Sequence, residues 1–168
     1  SRLMFPIRDR QGRTIAFSGR DLTGDERAPK YINSPETTIY QKKENYFGLY
    51  EAKNTIAEGK IGPILCEGNF DVVAMHQAGY TSAIASLGTS FTNEQCANIK
   101  KWYPNNQVFN ILFDSDAAGQ KSTERALLII NRNGFEQRVH KLTTAKDASE
   151  LLERDGEEGV KNEFEPYV

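Results

Sequence analysis

From Pro63 onward, short apolar runs alternate with stretches in which apolar residues recur at helical spacing. The runs 64–66, 83–86, 108–113 and 138–142 predict strands, and 70–78, 93–102 and 117–131 predict helices. Such a β–α rhythm implies a parallel sheet covered by helices on both faces. Ahead of it, 3–7 and 14–18 read as strands joined by a turn at Asp9-Arg10-Gln11-Gly12, a hairpin. Pro29 and Pro35 flank Lys30-Tyr31-Ile32-Asn33-Ser34, which suits an ordered loop better than a helix. A helix is predicted over 49–58, stopping at Gly59. After Asp147 the pattern gives two short helices broken at Gly156. The expected fold class is α/β: a Rossmann-like parallel sheet flanked by helices, preceded by a small α+β N-terminal subdomain. Three segments follow: 1–60, then 61–145 with the sheet, then 146–168 opening a helical segment.

Length sharpens this only slightly. At 168 residues the chain can bury one sizeable core with a small satellite, not two full domains. No stretch approaches the roughly 20 apolar residues of a membrane span. The opening Ser1-Arg2-Leu3-Met4-Phe5-Pro6 has no initiator Met and no signal-peptide layout, so it reads as a cut inside a longer chain. Cys66 and Cys96 are the only cysteines and form no CxxC, so no zinc site is expected here. Two lone thiols suit a reducing cytoplasm and are read as buried packing.

Charge changes the picture more. Residues 1–60 hold 11 Lys+Arg against 8 Asp+Glu, and residues 61–168 hold 10 against 15. A basic front suggests an anionic partner, and an acidic rear suggests a solvated face or a cation site. The position of the acids decides between these. In an open parallel sheet, ligands bind beyond the carboxyl ends of the strands. Glu67 follows the first strand of the alternating region, Asp114 and Asp116 follow the third, and Asp147 lies a few residues past the fourth. Carboxylates gathered on one rim repel unless a cation neutralises them. Hard oxygen ligands there suit Mg2+ or Mn2+, which complete their shells with water and substrate phosphates. Asp71, one helical turn past Glu67, can reach the same cluster. Gly68 and Gly119 remove side chains where backbone passes close by. The bland alternative for Asp114-Ser115-Asp116 taken alone is a helix N-cap. From the residues, then, the expectation stops at a divalent-metal site acting on phosphates.

A resemblance goes further. Glu67-Gly68-Asn69-Phe70-Asp71-Val72-Val73-Ala74, Ala85-Ser86-Leu87-Gly88-Thr89-Ser90 and Asp114-Ser115-Asp116-Ala117-Ala118-Gly119 resemble the Toprim domain of primases, topoisomerases, OLD-family nucleases and RecR-like proteins. Phe5-Pro6-Ile7, Gly12, Phe17, Gly19-Arg20 and above all the run from Pro29-Lys30 to Glu36-Thr37 resemble the N-terminal part of the polymerase domain of bacterial DnaG-type primases. That family implies template-directed synthesis of RNA primers on single-stranded DNA from NTPs. It implies Mg2+, replaceable by Mn2+, held by Glu67, Asp71, Asp114, Asp116 and Asp147, with Glu67, Asp114 and Asp116 catalytic. It implies a basic surface of Arg20, Lys30, Asn33 and Lys42 facing nucleotide and DNA, and a replicative helicase and zinc-binding domain as partners through other parts of the protein. Two departures stand out: Ser115 replaces the middle Gly of the family's Asp-Gly-Asp, and Ser149 replaces the second acid of its Asp-x-Asp, which takes one carboxylate from the family's metal set. Rival expectations are a Toprim nuclease or topoisomerase-like enzyme, disfavoured by the Lys30–Thr37 run, and a non-catalytic nucleic-acid module, which Ser149 favours. His76, His140, Trp102 and Tyr103 are read as packing or surface residues, and 150–158 as a solvated face.

Overall fold

The computed structural model describes residues 1–165; the last three residues of the predicted 146–168 segment lie outside it. β1 (Arg2–Arg8) and β2 (Thr14–Asp21) pair antiparallel with a register shift at Ile7/Arg8. One face of this ribbon turns Ile7 and Ala16 inward. The other leaves Met4 and Phe17 exposed, and Ile32 of β3 (Tyr31–Asn33) lies on the same face. β3 corrects the expected loop: it pairs antiparallel with Ser18–Arg20 of β2. Three residues between prolines carry no periodicity of their own, so only the partner strand makes them a strand.

After α1 (Leu49–Glu58), capped by Gly59 in the left-handed conformation, the chain enters a four-stranded parallel sheet. Its order is β5 (Ala83–Ala85), β4 (Ile64–Cys66), β6 (Val108–Leu112), β7 (Glu136–Val139). α2 (Asn69–Gln77), α3 (Asn93–Trp102) and α4 (Ala117–Arg132) connect successive strands, and α5 (Ala148–Phe164) follows. β4 and β5 are buried at every position, as both-face coverage requires. β7 starts two residues earlier and ends three earlier than predicted. It is an edge strand that is mostly exposed, so it has no apolar run to mark it. α5 is broken as expected: Gly156 sits at φ 68° and separates two helical pieces.

Two apolar layers sandwich the sheet. On one side Leu65, Ile84, Phe109 and Ile111 pack against α1, α3 and α4. On the other, Ile64, Cys66 and Ala85 pack against α2, α5 and the antiparallel ribbon, through Ile7, Phe47, Met75, Leu151 and Phe164. A fully buried Leu or Ile contributes about 2 kcal/mol, so each layer is well able to hold its helices. An antiparallel bridge between Phe47 and Ala85 ties the front segment to the sheet edge beside the strand ends. Among the described residues no helix is long and apolar enough to cross a membrane.

Candidate active site

Parallel pairing aligns Cys66 with Ala85 and Leu112, so β4, β5 and β6 end together. The residues just beyond them therefore meet. Glu67 Oε2 accepts a hydrogen bond from the Asp114 backbone N–H at 3.1 Å, which joins two of the predicted carboxylate positions. Burial raises the Glu67 carboxyl above its ordinary range against the pull of that N–H, and burial likewise raises Asp114.

Asp71 is the most buried acid of the group. Its Oδ2 accepts from the Gly68 N–H (3.1 Å) at the start of α2, and its Oδ1 accepts from the Ser149 N–H (3.2 Å) at the start of α5. It thus clamps two helix N-termini together. Burial, then the nearby Asp147 charge, push its pKa up to about 7. Asp147 and Asp116 are N-caps: Asp147 accepts from the Glu150 N–H at 2.8 Å and Asp116 from the Gly119 N–H at 2.8 Å. The Gly119 N–H holds the Asp116 carboxyl low. The N-cap alternative for Asp116 is therefore realised through its Oδ1, while its Oδ2 faces the Lys146 ammonium.

One residue that sequence reasoning missed stands at the centre. The Lys146 ammonium lies 3.2 Å from Asp114 Oδ2 and 3.6 Å from Asp116 Oδ2. Its own loop is pinned by a hydrogen bond from the Ser115 N–H to the Lys146 carbonyl. Asp114 beside it raises the Lys146 pKa. A lysine in a polar loop carries no periodic signal; the only hint was that adjacent carboxylates need a counter-charge.

The acids open onto a cleft of about 580 Å³ whose far wall comes from the antiparallel ribbon and the segment after it. Glu67, Asp71, Asp114 and Asp147 line one side, and Arg20, Lys30 and Asn33 line the other. Arg20 is held in place: its guanidinium lies 4.5 Å from the Phe70 ring centroid and donates to the Tyr31 hydroxyl at 3.0 Å. Asp116 and Lys42 are not on this lining. Asp116 lies across Lys146 from Asp114, and Lys42 is tied through its backbone to Glu36 and Gln95.

Among the described residues no group of three or more His, Cys, Asp or Glu is gathered as a metal cage. The donor chemistry nonetheless suits a hard cation, because Asp114 and Asp116 already share one cationic group, the Lys146 ammonium. An open rim with few protein ligands is also how Mg2+ is usually held, with phosphates and water completing the shell.

Two family models match in tandem: "DNA primase catalytic core, N-terminal domain" over residues 1–53 and "Toprim-like" over residues 64–152. The chain belongs to the Toprim-like family, in its DnaG-type primase branch. It is 43% identical to the DNA primase of Synechococcus elongatus, over 91% of this chain and 22% of that protein. It is 41% identical to the DNA primase of Haemophilus influenzae, over 100% of this chain and 27% of that protein. The chain thus spans about a quarter of the length of the curated relatives it matches. Among solved structures it resembles the Aquifex aeolicus primase (zinc-binding and RNA polymerase domains), with TM-score 0.86 and 35% identity over 99% of this chain and 40% of that one. It also resembles a DnaG primase catalytic domain bound to ssDNA, with TM-score 0.82 and 36% identity over 99% and 52%. The fold of this primase-family chain, a Toprim sheet behind a small antiparallel ribbon, is that of primase catalytic cores.

Proposed function

We propose that this chain is the polymerising part of a DNA primase, which joins ribonucleotides from NTPs on a single-stranded DNA template in the cytoplasm. The observation that carries this is one cleft with a basic wall, Arg20 and Lys30, facing an acidic rim, Glu67 and Asp114. A nuclease needs only the rim, whereas a polymerase must also hold a triphosphate and a template backbone, which guanidinium and ammonium groups suit. The DnaG primase catalytic domain solved with ssDNA has the same fold, which supports the same partner here.

In this reaction a 3′-hydroxyl attacks the α-phosphorus of an NTP. The new P–O bond forms as the bond to the bridging oxygen of pyrophosphate breaks, and the hydroxyl proton passes to water. Mg2+ or Mn2+, when bound, lowers the pKa of the attacking hydroxyl and offsets charge on the leaving pyrophosphate. Glu67 and Asp114 would hold it, with Asp116 and Asp147 completing the set. Asp71 acts by fixing the starts of α2 and α5, so that the rim keeps its shape. Lys146 and Lys30 are placed to take phosphate charge as the triphosphate enters. Helicase and zinc-binding partners would be reached through other parts of the protein.

The test is Asp114→Asn in the full-length protein, assayed for primer synthesis with Mg2+ and with Mn2+. A loss of at least ~100-fold with either metal is expected. Synthesis at near wild-type rate would sink the assignment.

A further inference from the structure

A second cleft, of about 570 Å³, opens on the opposite side of the same rim, between α4 and the 86–91 loop. It shares Glu67, Ser86 and Gly88 with the first cleft, so the two meet at the proposed metal position. Its character differs. Arg125 and Arg132 border it from the exposed face of α4, the hydroxyls of Thr89 and Ser90 border it from the loop, and Phe113 and Leu128 give it an apolar floor. Glu67 is the only acid on its lining. Nothing in the site described so far uses these arginines.

Building on the proposed polymerase activity, we infer that this second cleft seats the growing primer strand, the polynucleotide whose 3′-hydroxyl attacks. The reason is the geometry of the reaction. In an in-line displacement the attacking and leaving oxygens stand on opposite sides of the phosphorus. The first cleft carries the groups suited to the triphosphate, Arg20, Lys30 and Lys146, on one side of the rim. The nucleophile must then approach from the other side, where the second cleft lies. Spacing agrees. Arg125 and Arg132 are seven residues apart on one helix, about 10 Å along its axis. Along a duplex axis one strand advances about 3.4 Å per nucleotide, so that span covers more than one phosphate of a strand. Each guanidinium can therefore meet a separate phosphate, while the hydroxyls bond phosphate or ribose and the apolar floor takes a sugar or base face.

The test uses the full-length protein and a labelled RNA primer annealed to a DNA template with a single-stranded overhang. Binding is followed by fluorescence anisotropy over a salt series. Arg125→Ala/Arg132→Ala is expected to lower the slope of log affinity against log salt by about 2 and to weaken binding about tenfold near 0.1 M salt. Affinity for the single-stranded template alone should change by less than about twofold, because the basic wall of the first cleft is intact. In extension assays KM for the primer–template should rise while kcat at saturation holds. Arg125→Lys/Arg132→Lys, which keeps both charges, should retain the slope. An unchanged slope and affinity in the double alanine variant would overturn the inference, and so would an equal loss for the single-stranded template. Failure of the parent reading shows separately, as continued synthesis by Asp114→Asn.

Discussion

Gly119→Ala separates local from tertiary effects at the proposed active site. Gly119 lies in the first turn of α4 with helical backbone, where alanine is preferred over glycine by about 1 kcal/mol. Helix propensity alone therefore predicts a more stable protein. A methyl group at this position, however, overlaps the carbonyl oxygen of Asp114 and stands 2.8 Å from its carbonyl carbon and 3.2 Å from its Cα. These are backbone atoms and cannot swing away as a side-chain end could. Overpacking against them costs about 1–3 kcal/mol, enough to cancel the propensity gain and exceed it. The Asp114 loop is half exposed while α4 is anchored by the buried Ala126 and Ile130, so the loop is the part that moves. That displacement stretches the Asp114 N–H to Glu67 bond and pulls the Asp114 carboxylate off the rim. A misplacement on the order of 1 Å in a catalytic group lowers the rate about 100-fold. The expected result is melting within a few degrees of wild type and primer synthesis lower by about two orders of magnitude, partly recovered at high Mn2+. A variant with raised Tm and full synthesis would refute the close-approach argument and leave only propensity.

Two further substitutions test the frame behind the site. Gly62→Ala meets two penalties together, since Gly62 has φ 79° and an added Cβ would overlap the Val108 carbonyl. A loss of about 2–4 kcal/mol is expected from left-handed strain plus overpacking, read as a lower urea midpoint at constant m-value; a midpoint within error of wild type would contradict it. His140 is buried, and its Nε2–H donates to Asn110 Oδ1 at 2.8 Å, an orientation fixed because the Asn110 amide NH2 donates to the Ile61 carbonyl. Burial and then the Arg138 charge push its pKa from 6.5 down to about 4. The unfolded chain thus takes up the proton first, so stability is complete above pH 6.5 and falls as pH drops towards 4, by up to ~3 kcal/mol. His140→Gln should lower stability at pH 7 yet flatten the decline between pH 7 and 5, and an equal decline in both proteins would remove His140 as its source.

How much of this was readable beforehand follows the physics of each element. The helices over 49–58 and 93–102 are found within the predicted bounds, because each has a buried stripe and a marked end: Gly59 for the first, Thr92 capping the second. The strands expected at 64–66 and 83–86 were readable because burial on both faces leaves unbroken apolar runs, although the second ends one residue sooner, at Ala85. β3 and β7 were misplaced for complementary reasons. β3 exists only through pairing with β2, and β7 lies at an edge where solvent tolerates Glu136 and Arg138. Both depend on a neighbouring strand, which no local window contains.

The site shows the same division. Carboxylates at strand ends were legible because strand ends in a parallel sheet fall on one rim whatever the loops do. What each carboxylate does there depends on partners from distant segments. Asp71 is 78 residues from Ser149, whose N–H it accepts, and Glu67 is 47 from Asp114. The Ser149 departure illustrates the point. Its backbone, not its side chain, reaches Asp71, so replacing an acid there leaves the α2–α5 clamp intact while removing one negative charge near the rim. Lys146 then has fewer acids to balance. A site with one acid fewer and an internal cation beside Asp114 should bind a divalent metal more weakly on its own and rely more on the charge that a triphosphate brings. Metal and nucleotide would then bind cooperatively, each supplying charge that the other needs.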